Sequence, residues 1–208
     1  MHGLHDPKLP PVAPKMPYVS IDIETTGLDP ETCQTLEVGA VIDDWKTLID
    51  QLPRFRRILV YETVTGSPFA MALNANLLKQ IANPPTPPVT SRCEFCKPEE
   101  FCEQFARWLQ ANGFDPLHIQ AAGKNFASFD LQFLKRLPGF GRHLGFRHRI
   151  LDPAILFWKP EDERLPDSKT CYERAGINTK VAHTAIADAL AVVRLVRLGI
   201  RHLAGMRE

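Results

Sequence analysis

Tyr18-Val19-Ser20-Ile21-Asp22-Ile23-Glu24-Thr25-Thr26-Gly27 is the stretch on which the fold turns. It alternates apolar and polar residues and then meets Thr-Thr-Gly, the pattern of a strand running into a tight turn. On a strand, residues i and i+2 share a face. Asp22 and Glu24 therefore project together, with Ile21 and Ile23 on the opposite, packed face. Two carboxylates about 7 Å apart on one strand face repel unless a cation sits between them. A solvated strand edge is the alternative, but the strand reads as central and leads at once into a polar turn.

Two later clusters carry acids in equally apolar company. In Gly123-Lys124-Asn125-Phe126-Ala127-Ser128-Phe129-Asp130, Asp130 shares a helical side with Phe126, Phe133, Leu134 and Leu137. In His183-Thr184-Ala185-Ile186-Ala187-Asp188-Ala189, Asp188 is flanked by Ala185, Val192 and Val196 at helical spacing. An aspartate in an apolar stripe is costly without a partner. For either residue alone the partner could be a buried salt bridge or a helix cap. Two inward aspartates and a same-face pair together point to a cage for a hard divalent cation, which takes oxygen ligands. His183, five residues before Asp188, is off that helical face and placed to overhang the cage as a general base.

Around these clusters the elements alternate. Strands are expected at Tyr18–Glu24, Leu36–Ile42, Arg57–Val64, Leu117–Ala122 and Arg149–Asp152. Helices are expected at Phe69–Ile81, from Pro98 to about Asn112, at Ala127–Leu137, Ser168–Ala175 and Thr184–Leu203, with Gly113, Pro138-Gly139 and Gly176 as stops. Asn83–Pro88 holds four prolines and must be irregular. The class is α/β with a mixed sheet. Residues 1–16, rich in proline, read as a flexible tail, and 17–208 as one folded domain.

Composition narrows the partners. The chain has 208 residues and a net charge of +1, so no strong global field draws it to nucleic acid or anionic lipid. Any such binding must use a local patch or a bound metal. No apolar run is long enough for a membrane span. Five cysteines, without an apolar leader before them, are read as reduced and the chain as cytoplasmic.

With the three clusters in view, the chain resembles the DEDDh 3′–5′ exonucleases, the RNase T and proofreading-exonuclease superfamily, over about Tyr18 to Leu198. The resemblance implies an RNase H-like fold with a five-stranded mixed sheet flanked by helices. It implies two divalent metal ions, Mg²⁺ or Mn²⁺, held by Asp22, Glu24, Asp130 and Asp188, with His183 as general base. The tyrosine branch of that superfamily has a tyrosine where this chain has Thr184, so the histidine branch fits. The implied activity is metal-dependent removal of 5′-mononucleotides from single-stranded DNA or RNA 3′ ends. An oligoribonuclease-like enzyme for short RNA and an inactive nucleic-acid-binding module are the rival readings, and a polymerase or a homodimer the possible protein partner. Substrate contacts are expected from the backbone of Thr25, Thr26 and Gly27, from Leu28 as a wedge, from Asn125, and from Phe126 or Phe129 as a stacking surface.

Other signals are weaker. Lys124 stands where many members carry histidine, and is either a phosphate contact or a surface charge. Cys93 and Cys96, with Cys102 and His118, offer half of a zinc-site spacing, and free thiols are the preferred reading. Arg142, His143, Arg147, His148 and Arg149 form a basic run, read as a solvated loop ahead of a backbone contact. Arg194, Arg197 and Arg201 read as the solvated face of the last helix.

Overall fold

The computed structural model describes residues 14–84, 94–177 and 184–203. Five strands, β1 (Tyr18–Thr25), β2 (Thr35–Asp43), β3 (Arg54–Leu59), β4 (Phe95–Cys96) and β5 (Ala121–Ala122), form one mixed sheet in the order β4-β3-β2-β1-β5. The β1–β2–β3 meander is antiparallel, and the two short outer strands join in parallel. Helices are α1 (Pro68–Leu73), α2 (Ala75–Ala82), α3 (Pro98–Ala111), α4 (Asp130–Leu134), α5 (Phe140–His143), α6 (Pro153–Leu156), α7 (Ser168–Arg174) and α8 (Ala185–Leu203). No helix among the described residues is long and apolar enough to cross a membrane.

The alternation of β1 decides both faces. Val19, Ile21 and Ile23 pack with Val38, Ala40 and Ile42 of β2 against Phe101, Phe105 and Leu109 of α3 and Phe133 and Leu134 of α4. Tyr18 and Val41 face the other way, onto Ala189, Val192, Val193 and Val196 of α8. Ser20, Asp22 and Glu24 share that second face.

α8 is seated at three successive levels. A Cβ on Gly39 would lie 2.3 Å from the Ala185 carbonyl carbon, so only glycine admits the first turn of α8 here. Ser20 Oγ donates to the Ala189 carbonyl at 2.7 Å. At the far end Arg197 meets Asp43, with Nη2–Oδ1 at 2.6 Å and Nε–Oδ2 at 3.0 Å, while Tyr18 Oη donates to the same carboxylate at 2.8 Å. The expectation that Arg197 lies on a solvated stripe is thus overturned: it is 1% exposed. Arg194 and Arg201 are half-buried. A buried guanidinium needs a carboxylate, and Asp43 supplies it from the end of β2.

Other elements depart from expectation for local reasons. The expected helix over 69–81 splits at Asn74, whose side chain instead donates to the Thr25 carbonyl at 3.1 Å. The helix expected over 127–137 shortens to α4, because Asn125 takes a left-handed φ of 57° and residues 125–129 form a turn. The third strand starts three residues early, at Arg54. The strands expected at 117–122 and 149–152 reduce to β5 and to a bridge between Ala122 and Leu151. Met16, assigned to the tail, accepts a hydrogen bond from Trp45 Nε1 at 2.8 Å. Residues 1–13 lie outside the described residues, as does most of the proline segment.

Candidate metal centre

β5 ends after Ala122, and Gly123 then passes close to β1; a Cβ there would lie 2.9 Å from the Ile21 carbonyl oxygen. Past that point β1 has no neighbour on this edge. Asp130, at the start of α4, fills the gap, and its Oδ1 accepts the Ile23 N–H at 3.2 Å. From the opposite side, α8 brings Asp188 one turn beyond the Gly39 contact. Asp22, Glu24 and Asp188 each offer a carboxylate oxygen, all within 4.8 Å of one another and all half-buried. Three of the four expected ligands therefore converge directly. Asp130 is buried beside them, its carboxyl turned to the β1 edge.

The electrostatics are those of crowded acids. Burial, and then the charges of Asp130, Asp188 and Glu24, push the Asp22 carboxyl well above the usual carboxylate range. Burial pushes Asp130 up to about 7, against the lowering effect of its backbone hydrogen bonds. The donor set is all oxygen, carboxylate and anionic, which suits Mg²⁺ or Mn²⁺ and not a soft metal.

His183 lies outside the described residues. α8 begins two residues after it, with Asp188 in its first turn.

The β1 turn is anchored from within. Thr25 Oγ1 donates to the Gly27 carbonyl at 2.7 Å, and Thr26 Oγ1 accepts the Gln34 N–H at 2.8 Å. Gly27 packs on Cys33: a Cβ there would lie 2.5 Å from Cys33 Sγ, a side-chain tip that would have to turn aside. Leu28 projects from this turn and is 85% exposed. Asn125 is exposed, with its N–H bound to Asp152 Oδ2 at 3.0 Å. Phe126 is corrected: at 1% exposure its ring packs against Phe146 in the core and has no face for a base. Phe129 is half-buried on Phe133. Lys124 is half-buried and donates to Ser168 Oγ at 2.8 Å.

Sequence reasoning missed three features. α1 is bound to the site's turn by Ser67 N–H to the Thr26 carbonyl at 2.8 Å, yet none of its residues is buried, and Phe69 is 75% exposed. Its cap, Ser67-Pro68, was legible; its exposure was not. Tyr172 of α7 lies near the acids, its hydroxyl pushed up to about 12 by burial and then by Asp188 and Asp22. Glu37 is buried in β2 directly opposite Glu24. Of the thiols, Cys96 and Cys102 lie in the core, His118 is exposed and paired with Asp115, and Cys93 is outside the described residues. Among the described residues the acidic trio is the one group with metal-ligand spacing.

No family model and no curated protein sequence matches the chain. Solved structures do. Exonuclease I from Methylocaldum szegediense is 17% identical, with a TM-score of 0.61 over 89% of this chain. E. coli exonuclease I in complex with a dT13 oligonucleotide is 16% identical, with a TM-score of 0.57 over 88%. Cell-death related nuclease 4 is 14% identical, with a TM-score of 0.60 over 91%. The chain spans 40% of each of these exonuclease I chains and 64% of cell-death related nuclease 4. The five-stranded mixed sheet, its flanking helices and these neighbours make the fold RNase H-like.

Proposed function

We propose that the chain is a metal-dependent 3′–5′ exonuclease that hydrolyses single-stranded nucleic-acid ends to 5′-mononucleotides. The observation that carries this reading is the convergence of Asp22, Glu24 and Asp188 oxygens within 4.8 Å, with buried Asp130 alongside. The exonuclease I neighbours, among them E. coli structures with dT13 and dA16 oligonucleotides, support a single-stranded substrate. The site is taken to hold two Mg²⁺ or Mn²⁺ ions on Asp22, Glu24, Asp188 and Asp130. When bound, such ions stabilise charge on the phosphate and make bound water a nucleophile near neutral pH.

The chain's own residues carry the other tasks. Asp22, Glu24, Asp188 and Asp130 would hold and orient the ions, and Asp130 also ties the free edge of β1 through the Ile23 N–H. His183 accepts a proton from the attacking water. Leu28 and the exposed Phe69 provide apolar surface beside the turn on which the terminal nucleotides rest. A cytoplasmic location belongs to the same proposal.

The test is digestion of 5′-labelled DNA and RNA of several lengths, from dinucleotides upward, with Mg²⁺, Mn²⁺ or EDTA. Products should shorten one nucleotide at a time, a closed circular strand should survive, and Asp22→Asn and Asp188→Asn should be almost inactive. Linearised circles, or full activity in EDTA, would refute the proposal. Cleavage confined to the shortest RNAs would favour the oligoribonuclease reading.

A further inference from the structure

Glu37 has no part in the scheme above, yet it is 2% exposed and faces Glu24 across the β1–β2 ladder. Directly opposed residues on antiparallel strands have Cβ atoms about 4.5–5.5 Å apart, and like charges so placed are destabilising. Glu37 is thus a fifth carboxylate acting on the acidic group, placed behind the trio and not within it.

The cation that Glu37 meets is Arg56 of β3, with Nε–Oε1 at 2.5 Å. Arg56 pairs across β2 with Gly39, and Gly39 with Asp22, so Arg56 lies in the same cross-sheet row as Asp22. Two strand spacings make that row about 10 Å from backbone to backbone. The other side of the guanidinium reaches exposed Glu94, with Nη1–Oε2 at 2.5 Å. A buried anion and a half-buried cation therefore sit side by side behind Glu24 and Asp22, within a weakly screened region.

We propose that the Glu37–Arg56 pair tunes the electrostatic field at the acidic group and hence its hold on a divalent cation. The proposal rests on the metal-centre reading. Glu37 strengthens the negative field at the ligand oxygens and Arg56 trims it. Glu37 acts through Glu24 and Asp22 as a positioning residue and is not itself a ligand. A pair that only braced β2 to β3 would give the same sign of effect whichever partner is removed. A field-tuning pair gives opposite signs.

The test is calorimetric titration of the whole chain with Mn²⁺ and with Mg²⁺. Glu37→Gln removes the buried anion and leaves Arg56 paired only with exposed Glu94, so affinity should fall about 10–100-fold, the usual worth of a group supporting metal ligands. Arg56→Met leaves Glu37 uncompensated, so affinity should rise. The double variant should return close to wild type, and Arg56→Lys should behave as wild type. Because Arg56→Met leaves a carboxylate buried alone, it risks not folding. In that case the comparison of Glu37→Gln with the double variant decides, since field tuning requires the double variant to bind more tightly. Single variants that both weaken binding, a double variant no tighter than Glu37→Gln, or affinities that do not move would overturn the inference while leaving the metal centre standing. A wild-type chain that takes up no Mn²⁺ overturns both.

Discussion

Asp130→Asn should stabilise the metal-free protein at neutral pH. Asp130 is buried, and its carboxyl is raised from the ordinary 3.8 to about 7. Between those values the folded protein holds a proton that the unfolded chain gives up. Stability therefore falls as pH rises from about 4 to about 7 and levels off above. The full displacement corresponds to about 4 kcal/mol at 1.36 kcal/mol per pH unit. Asparagine removes the titration and keeps an oxygen to accept the Ile23 N–H. For a chain of this length, 1 kcal/mol moves Tm by about 2–4 °C, so Asp130→Asn should melt on the order of 10 °C above wild type at pH 7.5 and close to it at pH 4.5. Wild type in EDTA should itself lose Tm across this range, and Asp22, raised in the same direction, adds to the loss. Mn²⁺ requires ionised carboxylates, so its stabilising effect should grow with pH. Thermal melts at five pH values, with EDTA and with Mn²⁺, test all of this. A wild-type Tm in EDTA that rises from pH 4.5 to 7.5, or an Asp130→Asn Tm equal to wild type at pH 7.5, would refute the reasoning.

His183→Ala should lose about 10²–10⁴-fold in single-turnover rate with unchanged Mn²⁺ affinity, and the acidic limb of the rate profile should flatten; complete rescue by added Mn²⁺ would make it a ligand instead. Leu28→Ala and Phe69→Ala should leave Tm in place, since both side chains are exposed, and raise KM for single strands, with Phe69 worth about 1–3 kcal/mol if it stacks on a base. Arg197→Met should cost about 3–5 kcal/mol in urea unfolding by leaving the buried Asp43 carboxylate without its cation, whereas pairing it with Asp43→Leu should recover most of the loss; equal losses in both would contradict the ion-pair account.

The acidic strand was legible because alternation alone separates Asp22 and Glu24 from Ile21 and Ile23, and both packed faces obey it. Asp188 was legible because its apolar neighbours recur at helical spacing. The same wheel misplaced Arg197, since it groups the residue with Arg194 and Arg201 and cannot see a carboxylate 154 positions away. Phe126 was misread because the turn at Asn125, tied to Asp152, swings its ring into the core. The start of β3 at Arg54 follows from cross-strand partners, Phe55 on Ala40 and Arg56 on Gly39, that local hydropathy does not register. Glu37 was not singled out, because only the register sets it opposite Glu24.

The seating of α8 on β1 and β2 also governs when the acidic group can exist. Ser20 and Ala189 are 169 positions apart, so the carboxylates of β1 wait for nearly the whole described chain before Asp188 reaches them. On a ribosome emitting about 5–20 residues per second, β1 emerges roughly ten to thirty seconds before α8. During that interval the nascent chain holds Asp22 and Glu24 without Asp188. Long-range closure of this kind slows folding, and it keeps the acidic group incomplete until synthesis has passed α8. The same dependence makes undocking of one helix sufficient to break up the acidic group.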